Sequence, residues 1–210
     1  MLLVGQLDSP FTRRVAVSLT TLGFTFERSR LSVFSDVGEM RRLNPLGRVP
    51  VLVLDDGEML IDSAAILDHV DEMAGLGRAL LPPGGPDRRR ALQIIALALG
   101  ADEKTAQGVY ERMRYRSEQI SSDWIARCRA QVAGALDALE RHAASPWLVG
   151  ERMTQADITV ATMLGFVRMA DPEMLPPGRY GNLEALSERC EALPAFAQNL
   201  PSPDERPRGL

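Results

Sequence analysis

Cysteine is almost absent from this chain: Cys128 and Cys190 are the only two among 210 residues, and neither belongs to a CxxC pair. That scarcity argues against a disulfide framework and a thiolate zinc site, and it suits a reducing, cytoplasmic compartment. Histidine is equally scarce. His69 and His142 lack the ligand spacing of a metal site, so no metal is expected and both read as surface residues. No apolar run reaches about 18 residues, so no membrane span is expected. The opening "MLLVG" lacks the charged region, long apolar core and cleavage site of a signal peptide and reads instead as a first strand. Surplus positive charge is missing as well: 24 basic residues against 28 acidic give a net charge of -4. That balance leaves no electrostatic footprint for nucleic acid, and the short run Arg88 to Arg90 reads as the solvated start of a helix. Internal repeats and low-complexity segments are absent too.

What remains, 45% hydrophobic and 25% charged residues, is the composition of an ordinary globular protein. Its length suits one large domain or two small ones, at roughly 100 to 200 residues per domain. Up to about residue 75 the pattern alternates. "LLVG" (2–5) reads as a buried strand, "PFTRRVAVSLTTLG" (10–23) as a helix closed by Gly23, and "FTFERSRL" (24–31) as a second strand. A short helix is expected over 36–43. "VPVLVLDDGEMLI" (49–61) reads as a hairpin turning at Asp55-Asp56-Gly57, where glycine supplies the positive φ of a tight turn. "DSAAILDHVDEM" (62–73) then forms a helix that starts on a capping side chain. The order β-α-β-α-β-β-α makes a small mixed sheet with helices on its faces.

Residues 82–86 are all proline or glycine, a linker composition, and beyond them the strand signal disappears. Helices are expected over 88–116 and 118–144, the second carrying Ile120, Trp124, Cys128, Val132, Leu136 and Leu139 on one face. Two more begin near "TQADITVATMLGFV" and "NLEALSERCEAL", and the proline-rich end "LPSPDERPRGL" reads as a loose tail. The expected fold class is α/β plus all-α, divided into a domain at 1–75, a linker at 76–87 and an all-helical domain at 88–210 with a flexible tail.

Three stretches of the first domain carry chemical interest. Ser9 precedes a helix, and its plainest role is an N-cap. Pro10 suits the first helical position and leaves the free N–H groups of the first turn directed at the surroundings of Ser9. Those donors, the helix dipole and the nearby Arg13 and Arg14 favour a negative charge there. Val49-Pro50 sets a proline at the entrance to a strand, where a cis bond would leave the backbone of Val49 free to pair with a ligand. Asp62-Ser63 opens the next helix. One of the two is a cap, yet the N–H groups there suit a carboxylate and the Asp62 side chain an ammonium, so a ligand with an α-amino acid end satisfies both. In the helical domain, Thr154 and Asp157 have the spacing of a capping box and read as structural.

Four segments in this order, "SPFTRRV", "NPLGRVPVLV", "IDSAAILDHVDE" and "LVGERMTQADITVA", give a chain that resembles the glutathione transferase family over nearly its whole length. The resemblance implies a thioredoxin-like N-terminal domain with a C-terminal helical domain, glutathione as co-substrate, a small electrophile as the other reactant, a homodimer and a role in detoxification. Residue by residue, it implies that Ser9 is catalytic, donating a hydrogen bond to a thiol whose ordinary pKa is about 8.5 and so favouring the thiolate. It implies glutathione-binding roles for Val49, held by a cis Pro50, at the cysteinyl unit, for Asp62 and Ser63 at the γ-glutamyl end, and for Arg48 at the glycyl carboxylate. For the electrophile it implies Phe11, Tyr110 and Arg114, with Met113 and Tyr115 also placed by position. The third helix and the first long helix would form much of the dimer contact.

Departures from the family pattern narrow the chemistry. Gln6 and Leu7 stand where tyrosine-dependent classes carry tyrosine, and neither Ser9 nor Thr12 is cysteine, which disfavours thiol-disulfide chemistry through an enzyme sulfur. Thr12 is a secondary candidate for the sulfur contact. Two alternatives stay open: a glutathione-dependent isomerase or peroxidase using the same thiolate, and a non-catalytic partner-binding protein of the same fold.

Overall fold

The computed structural model describes residues 1–115, 117–142 and 146–205, with the side chains of Arg114 and Ser117 outside that description. The described residues divide into two units, one of residues 1–83 together with 193–205 and one within residues 84–192. In the first unit the elements run β1 (Leu2–Val4), α1 (Pro10–Thr21), β2 (Glu27–Ser29), α2 (Val37–Leu43), β3 (Val51–Val53), β4 (Met59–Ile61) and α3 (Ser63–Ala74). The sheet order is β2-β1-β3-β4, with β1 parallel to β2 and β3 antiparallel to both β1 and β4.

Each pairing has a local cause. The connection from β1 to β2 contains α1, the crossover that a parallel pair requires. The β3–β4 hairpin turns through Gly57 at φ +92, a conformation that side-chain-bearing residues rarely adopt. Alternation along the strands then divides the core. Val4 and Val51 pack with Met40 of α2 on one face, while Leu3 and Leu52, both fully buried, point to the other face, where α1 and α3 pack against each other and the sheet. The second strand is shorter than its sequence pattern. Phe24 N–H bonds back to the Leu19 carbonyl after Gly23 turns to φ +76, so this stretch finishes α1 instead of joining the sheet.

The second unit contains α4 (Gly85–Arg114), α5 (Ser122–His142), α6 (Gln155–Ala170) and α7 (Gly181–Glu191). Helix α6 is buried on nearly every side and packs against α4 and α7. Its start is built as the sequence pattern requires. Asp157 Oδ2 accepts from Thr154 N–H at 2.7 Å and from Thr154 Oγ1 at 2.9 Å, and its Oδ1 accepts from Leu148 N–H at 2.8 Å. Burial pushes the Asp157 carboxyl up, against the opposing pull of the Leu148 and Thr154 donors.

Two expectations change. The segment after α3 is not a free linker throughout: Asp71 accepts Leu80 N–H at 2.7 Å and Leu81 N–H at 2.9 Å, and Ala79 and Leu80 are buried. Nor are residues 200–205, the described part of the proline-rich end, a loose tail; residues 206–210 lie outside the described residues. After α7 the chain returns to the first unit, forms the short helix α8 (Pro194–Ala197) against α1, buries Phe196 completely, and ends its described part in a 3-10 turn at Pro203–Glu205. Phe196 and Asn199 just before that end, and Ser202 and Glu205 within it, supply the anchorage that composition concealed.

Asp157→Ala would leave the buried N–H groups of Leu148 and Thr154 without partners, each costing about 1–3 kcal/mol. A loss of roughly 2 kcal/mol or more is expected in urea unfolding of the variant, whereas a loss below about 0.5 kcal/mol would mean that the capping network is dispensable.

Candidate functional site

Strand register decides which loops meet. Val4, Val51 and Ile61 share one row across the sheet, because Val4 pairs with Val51 and Val51 with Ile61. The C-terminal ends of β1 and β4 and the N-terminal start of β3 therefore lie at the same end. Ser9 leaves from the first, Asp62-Ser63 follows the second, and Val49-Pro50 precedes the third. The three segments that the sequence separates are brought to one end of one sheet.

Ser9 is the N-cap of α1, half-buried, with Oγ accepting the Thr12 N–H at 3.4 Å. That bond is long for N–H···O. An acceptor role also leaves the hydroxyl proton of Ser9 for donation, so capping and ligand contact are compatible. The Val49-Pro50 bond is cis, and among the described residues no intrachain hydrogen bond engages the Val49 backbone. Gly5 joins the two loops. A Cβ there would lie 2.7 Å from Thr12 Oγ1 and 2.9 Å from Val49 Cβ, so only glycine admits this approach. Thr12 Oγ1 itself is buried without a hydrogen-bond partner among the described residues.

Asp62 is the one positive-φ residue other than glycine among the described residues, at φ 68 and ψ 130. Its Oδ1 caps α3 by accepting Ala64 N–H at 2.8 Å, while the residue stays exposed and Ser63 beside it is buried. Backbone held in so sparsely populated a region points to a functional constraint. Arg48 is exposed on the loop before Val49. That loop is fixed by Asn44, whose Nδ2 donates to the Arg48 carbonyl at 2.9 Å and whose Oδ1 accepts Leu46 N–H at 3.0 Å.

The remaining sequence candidates fall elsewhere. Phe11 lies in the first turn of α1 and is half-buried. Tyr110 is exposed on α4, in the second unit, and Met113 and Tyr115 are exposed near the end of that helix. The Arg114 side chain lies outside the described residues. Arg13 and Arg14, expected to lend positive charge to Ser9, are buried, and Arg13 is committed to the Asn199 carbonyl at 2.9 Å. Among the described residues no group of three His, Cys, Asp or Glu side chains is placed to hold a metal ion. A recess lined by Met1, Leu2, Thr25 and Val53 opens at the opposite end of the sheet, away from these residues.

Sequence reasoning missed Gly5, Asn44 and Asp8. Asn44 had a visible signal, an Asn-Pro pair at the end of α2, whereas Asp8 had none. Burial pushes the Asp8 carboxyl up to about 6, opposed by the Ser9 N–H and reinforced by the charge of Glu205. A raised carboxyl pKa means that the folded state holds the proton more tightly than the unfolded chain. The stability it contributes is complete below the ordinary value of 3.8 and is lost as pH rises through about 6. Asp8→Asn is therefore expected to melt above the wild type at pH 8, with the gap closing toward pH 4. Thermal unfolding across that range checks it, and a gap independent of pH would refute the assignment.

Comparison with known proteins identifies the family of the chain. Residues 3–79 match the family model of the glutathione S-transferase N-terminal domain, and residues 122–189 match that of the C-terminal domain. The Escherichia coli GST-like protein YibF is 32% identical over 80% of this chain and 82% of its own length. The maleylacetoacetate isomerase of Pseudomonas aeruginosa is 26% identical over 96% of each chain. Among solved structures, a glutathione S-transferase from Methylobacterium radiotolerans in complex with glutathione sulfonate superposes with a TM-score of 0.90 at 31% identity, covering 95% of this chain and 94% of its own. A family member from Pseudomonas fluorescens with bound glutathione reaches 0.85 at 29% identity, over 96% and 98% of the two chains. With both domain models matched over more than half its length, the chain belongs to the glutathione S-transferase family.

Proposed function

We propose that the chain binds glutathione at the shared end of the sheet and holds its sulfur as a thiolate for attack on a small electrophile. The observation that carries this reading is the convergence of Ser9, the cis Val49-Pro50 bond and the positive-φ Asp62 at one sheet end. The bound glutathione and glutathione sulfonate of the structural relatives support it. Ser9 donates its hydroxyl proton to the sulfur, and the N-terminus of α1 adds the field of its open N–H groups. Val49 pairs its unengaged backbone with the cysteinyl unit. Asp62 and Ser63 hold the γ-glutamyl amine and carboxylate, and Arg48 reaches toward the glycyl carboxylate. Phe11, in the unit that carries Ser9, remains a candidate for the electrophile side.

One specific observation favours a second use of the same thiolate. Relatives named maleylacetoacetate isomerase or its probable equivalent, from Pseudomonas aeruginosa and Vibrio cholerae, align over almost the whole chain at 26% and 27% identity. In isomerisation the thiolate adds to a carbon-carbon double bond, rotation follows, and the sulfur leaves again. Glutathione is then regenerated, whereas transfer consumes it mole for mole, so its stoichiometry during turnover separates the two.

The working assembly in this reading is a homodimer. Met59, Met73 and Leu76, exposed around β4 and the end of α3, support a contact there. Cys128 and Cys190 are free and buried, which suits a cytoplasmic setting, and no helix among the described residues is long and apolar enough to cross a membrane.

The ultraviolet absorbance of bound thiolate against pH tests the central claim. The wild type is expected to lower the thiol pKa by about one unit or more from its ordinary value near 8.5, equivalent to roughly 1.4 kcal/mol. Ser9→Ala should abolish that shift while changing glutathione affinity by less than about threefold. Asp62→Asn keeps the cap acceptor and tolerates the positive φ, so it removes charge alone. It should weaken glutathione binding about tenfold, the scale of one charge-assisted hydrogen bond, with the thiol pKa unmoved. An unchanged thiol pKa in the wild type would overturn the reading.

A further inference from the structure

We propose that Glu205, carried on the C-terminal strap, is a positioning residue that fixes the loop presenting Ser9. This inference rests on the role proposed for Ser9 above.

The strap grips the chain on both sides of that serine. Two residues before it, Leu7 N–H donates to Glu205 Oε1 at 3.5 Å. Four residues after it, Arg13 Nε donates to the Asn199 carbonyl at 2.9 Å, and the Arg13 guanidinium lies 5.8 Å from the centre of the Phe196 ring. Asn199 Nδ2 also donates to Thr20 Oγ1 at 2.9 Å, tying the strap to the far end of α1. The loop and helix that flank Ser9 are thereby held against a single segment.

Glu205 is the centre of this attachment. Its side chain is 1% exposed. Oε1 accepts from Arg28 Nη2 at 2.7 Å and Arg30 Nε at 3.2 Å, and Oε2 accepts from Ser202 N–H at 3.0 Å and Ser202 Oγ at 2.9 Å. With Leu7, five donors converge on one carboxylate. Arg30 additionally donates to Ser202 Oγ and Asp204, each at 2.7 Å. Burial works to raise the Glu205 carboxyl, but the Ser202 hydrogen bonds and the two arginine charges outweigh it and hold the group below its ordinary range. The carboxylate is therefore an anion built into the fold, and it spans from β2 to the loop after β1. Because Ser29 pairs in parallel with Val4, these arginines emerge at the same end of the sheet as Ser9. A serine presented from a short loop needs that support, since a displacement of a fraction of an ångström lengthens the bond to sulfur.

The sign of one measurement separates positioning from simple electrostatics. Removing a nearby negative charge by Coulomb action alone would lower the thiol pKa of bound glutathione. Loss of positioning raises it toward the unbound value. Glu205→Gln and Glu205→Ala should raise it by half a unit or more, with the larger rise in the alanine variant and glutathione affinity within about twofold. Ser202→Ala, a milder change that keeps the Glu205 carboxylate and its other four donors while removing the Ser202 hydroxyl from Glu205 and from Arg30, should move the pKa in the same direction and covers the case in which Glu205 variants fail to fold. Amide hydrogen exchange in the free protein gives a readout independent of glutathione: Leu7 to Arg13 should exchange at least tenfold faster in the variants, with α3 unchanged. A thiol pKa that stays put or falls in the variants, alongside a normally depressed wild-type value, overturns the inference and leaves the Ser9 reading intact. A wild-type thiol pKa that is not depressed overturns the Ser9 reading. In that case local exchange confined to residues 7–13 still supports the strap as the support of the loop, and uniform or absent acceleration overturns that too.

Discussion

Antiparallel pairing of β3 with β1, in the register that sets Val4 opposite Val51, is the constraint on which the site depends. Strands alternate faces with a period of two, so a slip of one residue would turn Val51 away from Met40 and send Leu52 into its place. Burial of this small core therefore fixes the register, and the register fixes which loop ends are neighbours. The cis peptide before β3 and the positive-φ residue after β4 then follow as features of one end of the sheet. Gly5 completes the arrangement by letting Thr12 and Val49 approach the backbone at a point where a side chain has no room.

In the proposed function, two residues at this end of the sheet combine structural and chemical duties without conflict. Ser9 and Asp62 each cap a helix with one oxygen. A hydroxyl that accepts one bond keeps its proton for another, and a carboxylate that caps through one oxygen keeps its charge and second oxygen. Capping is thus no argument against function here. It holds the two side chains in place before any ligand that the proposed function assigns to them arrives.

Buried carboxylates elsewhere reveal how the molecule treats charge. Asp157 is surrounded by backbone and hydroxyl donors at the start of α6, and Glu205 by two arginines, a serine and the Leu7 N–H. Asp8 is different: burial and the adjacent Glu205 both raise its carboxyl, and only backbone donors oppose them. The loop that carries Ser9 consequently holds one carboxyl that burial pushes up, Asp8, and leans on another that arginines and hydrogen bonds hold down, Glu205. The latter is supplied from almost the other end of the chain.

Much of this was legible in the sequence because it depends on local periodicity and local caps. The β-α-β order, the Gly57 turn, the helices of the second unit and the Thr154–Asp157 box each follow from residues close together in the chain. Ser9, Val49-Pro50 and Asp62-Ser63 stood out for the same reason, as a cap, a proline at a strand entrance and a second cap. Their convergence was not local. It required the strand register, which arises from burial on two faces and from no single segment. The roles of Gly5, Asn44 and Asp8, and the docking of residues 193–205, were likewise decided only by tertiary contact. "LPSPDERPRGL" has the composition of a tail, but Glu205 within it meets Arg28 and Arg30, and an ion pair between residues so distant in sequence leaves no periodic trace in either segment. The elements and their caps follow from local sequence, since these depend on side chains a turn or two apart. The tertiary structure alone decided which chain ends would meet around Ser9, because that depends on which surfaces bury one another.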